Sequence, residues 1–300
     1  MSLLIKTATH FIYGFAYFLG LIPWRHSIRF SDMLGDLWYL LDRRHRNVAL
    51  DNLARAYADE KSEAEIRKIA QQSFRNITRI PFEIGWSLRL SEKEIMRRCE
   101  VIGLEHLRRA HAKGKGALIL TLHMGNWELL PLSYTANGFD VSLIYRPLDF
   151  KPADLFFLQY RQRFGGHPIP KKKSMRKVLD ALRRGNSVGI LLDQDSGLTA
   201  GVFARFFGHQ ACTNKGMALL ALKIGAPVVP TFLVRSGDGF VVHILPEVPV
   251  IRTEYKEKDV QVNTEQYNRV LEQIIRQYPE QWLWVHRRWK NRPVNDSDGD

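Results

Sequence analysis

Ala117-Leu118-Ile119-Leu120-Thr121-Leu122 runs directly into His123-Met124-Gly125-Asn126-Trp127-Glu128. A short apolar run ending in a polar, glycine-containing turn reads as a buried strand that delivers its last residues to an open sheet edge. Such strand ends are where α/β folds place ligands and reacting groups. Four more short apolar runs share the pattern, at 139–145, 187–192, 227–234 and 240–245. Helical spacing fills the intervals at 127–136, 152–164, 174–184 and 214–224, with a further helix expected at 263–278. This alternation predicts an α/β fold with a mixed, largely parallel central sheet flanked by helices. Gly237-Asp238-Gly239 between the last two runs reads as a hairpin turn, which supplies the antiparallel element.

Upstream of residue 115 the pattern is helical. Arg46 to Leu53 has apolar residues at helical spacing, and Ser62-Glu63-Ala64-Glu65 reads as a helix start with acids in its first turn. The expected organisation is an N-terminal anchor helix over 1–24, a single α/β domain over 25–294 whose part 25–114 is helical, and a disordered tail over 295–300. No internal repeat or low-complexity segment interrupts it.

Composition narrows the function classes. A hydrophobic fraction of 45% excludes disorder for most of the length. Two cysteines, Cys99 and Cys212, form no CxxC pair and read as reduced thiols of a cytosol-facing chain. Lys and Arg number 44 against 31 acids, a net +13 that calls for an anionic partner. Basic clusters such as Lys171-Lys172-Lys173 and Arg287-Arg288 come without zinc-finger or RNP-type motifs, which makes nucleic acid the weaker choice. From Thr7 to Trp24 only His10 is strongly polar, and with Leu3 to Ile5 the stretch approaches the roughly 20 residues that span a bilayer. Arg25, Arg29, Arg43, Arg44 and Arg46 follow it, so the positive-inside rule keeps the body cytoplasmic. A buried first helix, or an amphipathic helix lying in the interface, are the alternatives.

Several residues stand where chemistry is expected. His123 supplies a base, and the Glu128 carboxylate five residues on stands to fix its tautomer and orientation. No G-x-S-x-G elbow or Cys-His pairing accompanies them, so the hydroxyl to be activated belongs to a substrate. Asn126 lies in the same turn and counts as a candidate substrate contact. Arg146, held by Pro147 at the end of the second run, can clamp a phosphate or carboxylate. Asp193-Gln194-Asp195 ends a third run; it can shape a turn, orient the arginine, or hold a divalent metal for a sugar nucleotide. Val202 to Gly208 is aromatic around a glycine, as an acyl pocket or a core would be, and Thr213 reads as a helix N-cap. Trp282 to Trp289 mixes Trp and Arg as a membrane-interface or acidic-partner surface would, or as a packed terminal element would.

The ordered set His-Met-Gly-Asn-Trp-Glu, Tyr145-Arg146-Pro147, Asp193-Gln194-Asp195-Ser196-Gly197, Phe206-Phe207-Gly208 with Thr213, Gly225 to Pro230, and Pro279 to Trp284 resembles the bacterial lipid A biosynthesis acyltransferases. The resemblance is to the late, secondary lauroyl/myristoyl type within the lysophospholipid acyltransferase superfamily, and it covers essentially the whole chain. It implies an inner-membrane enzyme facing the cytoplasm. Such an enzyme moves a fatty acyl group from acyl carrier protein to a hydroxyl of a phosphorylated glycolipid acceptor, without metal or organic cofactor. On matching positions His123 is the general base and Glu128 its partner in an H-x4-D/E motif. Arg146 contacts substrate phosphate or helps hold the catalytic arrangement, and Asp193 and Gln194 take a structural or substrate-positioning role rather than metal binding. Amides near the turn are expected to stabilise the oxyanion. Related enzymes that acylate other glycolipids share these motifs, so another glycolipid or a lysophospholipid is the alternative acceptor. A metal-dependent glycosyltransferase and a basic membrane adaptor are the rival classes.

Overall fold

The computed structural model describes residues 3–172 and 174–293; Lys173 of the basic cluster and the tail 295–300 lie outside them. In chain order the elements are α1 (Leu3–Leu19), α2 (Trp24–Leu41), α3 (Arg43–Tyr57), α4 (Glu63–Leu88), α5 (Glu92–Met96), β1 (Cys99–Ile102), α6 (Leu104–His111), β2 (Ala117–Thr121), α7 (Leu130–Thr135) and β3 (Val141–Tyr145). They continue with α8 (Lys151–Gln162), β4 (His167–Pro170), α9 (Met175–Arg183), β5 (Ser187–Leu191), β6 (Gly201–Phe206), β7 (His209–Asn214), α10 (Gly216–Ile224), β8 (Val228–Ser236), β9 (Gly239–Ile244) and α11 (Lys256–Gln277).

Seven strands form one sheet in the order β1-β9-β8-β2-β5-β3-β4. Every pairing is parallel except β8 with β9, which the Gly237 turn closes as the sequence predicts. β2 is buried along its whole length, and its alternate residues feed two cores. Leu118, Leu120 and Leu122 join side chains of α3, α4, α10 and α11, whereas Ala117 and Ile119 join those of α6, α7 and α8. Both faces of the sheet are therefore covered, which is why its strands read as continuous apolar runs.

α4 is the long strut behind this sheet. Ser62 caps it in a reciprocal capping box with Glu65, as its sequence predicts. α1 and α2 pack on it through small residues: a Cβ on Gly35 would lie 2.5 Å from Arg75 Cα, and one on Gly20 would lie 2.1 Å from Gly85 O.

Two expectations are not met, and two edge strands went unread. The spanning anchor is not supported: among the described residues no helix is long and apolar enough to cross a membrane. The chain turns between Leu19 and Trp24, so the apolar stretch ends its helix at Leu19 and its last residues form the turn into α2. Residues 201–214 are a two-stranded antiparallel hairpin, so Thr213 sits in β7 and caps no helix. The edge strands β1 and β4 escape periodicity, because four residues half in solvent carry too little pattern.

Candidate active site

Strand register brings the site together. β2 and β5 run parallel with Thr121 opposite Leu191, and Leu192 N donates to Thr121 O at 3.0 Å. Two residues further on in each strand stand His123 and Asp193, which therefore leave the sheet side by side. His123 Nδ1 lies 2.9 Å from Asp193 Oδ1, and the His123 backbone N–H donates to Asp193 Oδ2 at 2.9 Å. Trp282 Nε1 donates a third hydrogen bond to Oδ2 at 2.8 Å. Asp193 is 1% exposed. Burial by itself would raise its pKa, but the His123 imidazole and the three donors more than offset that and hold the carboxyl below its usual value. An ionised Asp193 fixes the Nδ1–H tautomer, which leaves Nε2 as the basic nitrogen, with the Trp127 ring edge-on at 5.1 Å.

The partner expected for His123 was Glu128, and the structure gives that position to Asp193. Glu128 is instead gripped by Arg161 of α8, whose Nε and Nη2 donate to its two oxygens at 2.8 and 2.7 Å. The guanidinium lies between the Tyr145 and Phe157 rings, 5.4 Å from each. α7 begins only at Leu130, so Glu128 belongs to the turn, where its N–H bonds Asn126 Oδ1.

Asn126 is likewise not a substrate contact. It is fully buried and donates to Glu83 Oε2 at 2.9 Å; Glu83 also receives a fork from Arg235 at 2.5 and 2.7 Å. Its task is to shape the loop. Gly125, at φ +55°, is needed there because a Cβ would lie 2.3 Å from Leu233 O. The amides of His123, Met124 and Gly125 all donate within the fold, to Asp193 Oδ2, Leu122 O and Gln281 O, and are not free for an oxyanion.

His123 opens onto a cavity of about 550 Å³. Glu128, Arg146, Arg161, Lys171, Gln194 and Asp195 supply its polar wall. Leu143, Ile144, Met175, Val178, Ile190 and Leu220 supply an apolar arm. Arg146 is exposed and pairs with Asp149 in its own turn, at 3.2 Å. The two acids of the Asp-Gln-Asp turn go separate ways. Asp193 serves His123, whereas Asp195 accepts from Asn291 N and Nδ2 at 3.2 and 2.6 Å, and burial raises its pKa. Among the described residues no group of three His, Cys, Asp or Glu could hold a metal ion.

The C-terminal segment is the part that sequence reasoning undervalued. Trp282, Trp284 and Trp289 are buried against Phe206 and Phe207, so this stretch is core rather than an interface. Asn52 of α3 pins it by donating to Trp284 O and His286 O. Arg288 is fully buried on Cys212 O and Thr213 Oγ1, and desolvation lowers its pKa to about 10. The cue was its density of tryptophan, which favours packing over display.

Two predictions arise here. Trp282→Phe keeps the ring but removes a hydrogen bond to an ionised carboxylate, worth about 1.5–3 kcal/mol. Turnover should fall roughly 10- to 100-fold with an unchanged circular dichroism spectrum. His286 Nε2 accepts the Asp195 N–H at 3.1 Å, and burial lowers its pKa to about 4 from 6.5. The folded value is depressed, so the neutral imidazole contributes its full stability above pH 6.5, and that contribution is lost as pH falls towards 4. A Tm series across this window should show a loss that shrinks in His286→Gln.

An α/β sheet that sets a His-Asp pair at its strand ends, beside a cavity with a polar wall and an apolar lining, defines a transferase-like site for an amphiphilic substrate. Residues 1–291 match the family described as bacterial lipid A biosynthesis acyltransferase, and the chain belongs to that family. It is thus an enzyme of acyl transfer. It is 28% identical over 281 residues to the lipid A biosynthesis lauroyltransferase of Escherichia coli K12, covering 93% of this chain and 90% of the relative. The palmitoleoyltransferase of the same organism is 26% identical over 264 residues, covering 85% and 82%. A phosphatidylinositol mannoside acyltransferase of Mycolicibacterium smegmatis is 28% identical over 195 residues, covering 63% and 62%.

Proposed function

We propose that His123, oriented by Asp193, removes the proton from a hydroxyl of a phosphorylated glycolipid of the lipid A precursor type. The freed oxygen attacks the thioester carbonyl of an acyl chain, and the carrier thiolate leaves with a proton returned by the imidazolium. The observation that carries this reading is the His123–Asp193 pair facing the cavity while no protein hydroxyl or thiol hydrogen-bonds the imidazole among the described residues. The apolar arm suits a hydrocarbon chain, and Arg146 and Lys171 suit acceptor phosphate. Glu128, locked by Arg161, forms a fixed part of the cavity wall beside the base.

The donor we assign is an acyl carrier protein, which is acidic. A second groove, about 950 Å³, lies between α3 and the C-terminal segment, where among the described residues Arg44, Arg287 and Lys290 line it beside Asp51. That imbalance favours an anionic protein surface. The place of action on this reading is the cytoplasmic face of the bacterial inner membrane. Purified protein should transfer acyl groups from the carrier thioester to a lipid A precursor. Turnover only with coenzyme A thioesters would replace the donor, and turnover only with mannosylated phosphatidylinositol would replace the acceptor. Activity that a chelator abolishes would revive the sugar-nucleotide reading of Asp193 and Asp195.

A further inference from the structure

We propose that the buried Glu83–Arg235 ion pair is a clamp that positions both halves of the His123–Asp193 pair, through Asn126 on the His123 side and through Gln281 on the Asp193 side. Its effect on turnover rests on the acyl-transfer reading of His123, whereas its hold on the two side chains does not. Neither Glu83 nor Arg235 lines the His123 cavity, so both are positioning residues that act through others.

Arg235 lies near the end of β8, and Glu83 stands on α4. Arg235 Nε and Nη2 fork the Glu83 carboxylate at 2.5 and 2.7 Å, and Nη1 donates to Asn76 Oδ1. The two side chains are 8% and 1% exposed. Taking two charges out of water offsets most of their attraction, so such a pair is a weak source of net stability. It is a strong source of direction, because a planar guanidinium with two prongs on one carboxylate admits few geometries.

Both arms of that geometry end at the site. On one side Glu83 Oε2 accepts from Asn126 Nδ2 at 2.9 Å, and Asn126 Oδ1 accepts from Glu128 N at 3.2 Å, which closes the turn that begins at His123. On the other side Gln281 Oε1 accepts from Arg235 N at 2.8 Å, and Gln281 Nε2 donates to Arg235 O at 3.1 Å. Asn76, itself held by the guanidinium, donates to Gln281 O at 2.8 Å, and Ser73 donates to Trp282 O at 2.7 Å. Ser73, Asn76 and Glu83 share one face of α4 at three- and seven-residue spacing.

The two arms meet in a short antiparallel bridge, Met124 against Trp282. Gly125 N donates to Gln281 O at 3.0 Å, and Leu283 N donates to His123 O at 3.2 Å. The bridge fixes the His123 backbone and the Trp282 indole in one register, and the indole in turn holds Asp193 Oδ2. A pair that touches neither side chain thereby sets the separation of imidazole and carboxylate. Reacting groups tolerate little displacement: a shift of about 1 Å can cost on the order of 100-fold in rate.

Two variants test the clamp. Arg235→Lys keeps the charge but loses the fork and the Asn76 bond, and Asn126→Ala cuts the His123 arm while leaving the ion pair whole. In both, kcat for acyl transfer should fall roughly 10- to 100-fold with little change in KM. The His123 Nδ1–H proton, read by NMR and assigned by its loss in His123→Ala, should shift or broaden in both. Arg79→Gln is the control: Arg79 forks Asp32 of α2 from the same helix at 2.6 and 2.7 Å. It should lower Tm and leave kcat and the resonance unchanged. A lower Tm with kcat and resonance retained in Asn126→Ala would reduce the pair to a structural brace and overturn the proposal, whether or not Arg235→Lys folds. A fall in kcat with the resonance unmoved would overturn it as well, because the geometry of the pair would not be the cause. A displaced resonance with undiminished transfer would uphold the clamp and count against His123 as the base.

Discussion

Turnover in His123→Ala is expected to fall by about 10²- to 10⁴-fold, the range that general-base catalysis supplies. The imidazole touches little else: one carboxylate and the edge of Trp127. After its removal Asp193 still accepts from the His123 backbone N–H and from Trp282, so the fold should persist with a modest drop in Tm. The measurement is steady-state acyl transfer beside a thermal melt. Full activity in a folded variant would end the mechanism.

Asp193→Asn is expected to be nearly as severe, and for a different reason. Three donors converge on two carboxylate oxygens, and an amide offers only one acceptor oxygen. If its oxygen satisfies the backbone and the Trp282 indole, its NH2 faces Nδ1 and forces the imidazole into the Nε2–H tautomer, which cannot act as a base. In a Ser-His-Asp triad that tautomer error costs about 10⁴ in kcat. The fall should appear in kcat, with an altered pH profile, rather than in KM. Glu128→Gln is the control, because its carboxylate is held by Arg161. It should cost stability and KM while leaving the kcat pH profile in place. Identical profile changes in the two variants would return the orienting role to Glu128.

Much of the sheet was legible. The five apolar runs all became strands, β2, β3, β5, β8 and β9, because burial on both faces writes itself as unbroken apolar sequence. The hairpin at Gly237 was readable from turn chemistry, and the cap at Ser62 from its acid three residues later. Which side chain meets which was less legible. His123 and Glu128 are near in sequence and suggested a pair; Asp193, 70 residues away, is the true contact because β2 and β5 are neighbours in register. The composition of the Trp-rich segment suits either a surface or a packed terminal element, and its rings complete the core.

By itself, the sequence determined the α/β class, the place of His123 at a strand end, the cationic character and the family, all properties of local pattern or of ordered motifs. Tertiary structure alone decided that Asp193 pairs with His123, that Arg161 holds Glu128, that Asn126 is buried on Glu83, and that the apolar N-terminal stretch breaks at the turn after α1. Each is a matter of which elements become neighbours. Strand order and helix packing settle that through long-range burial, which no window along the chain contains.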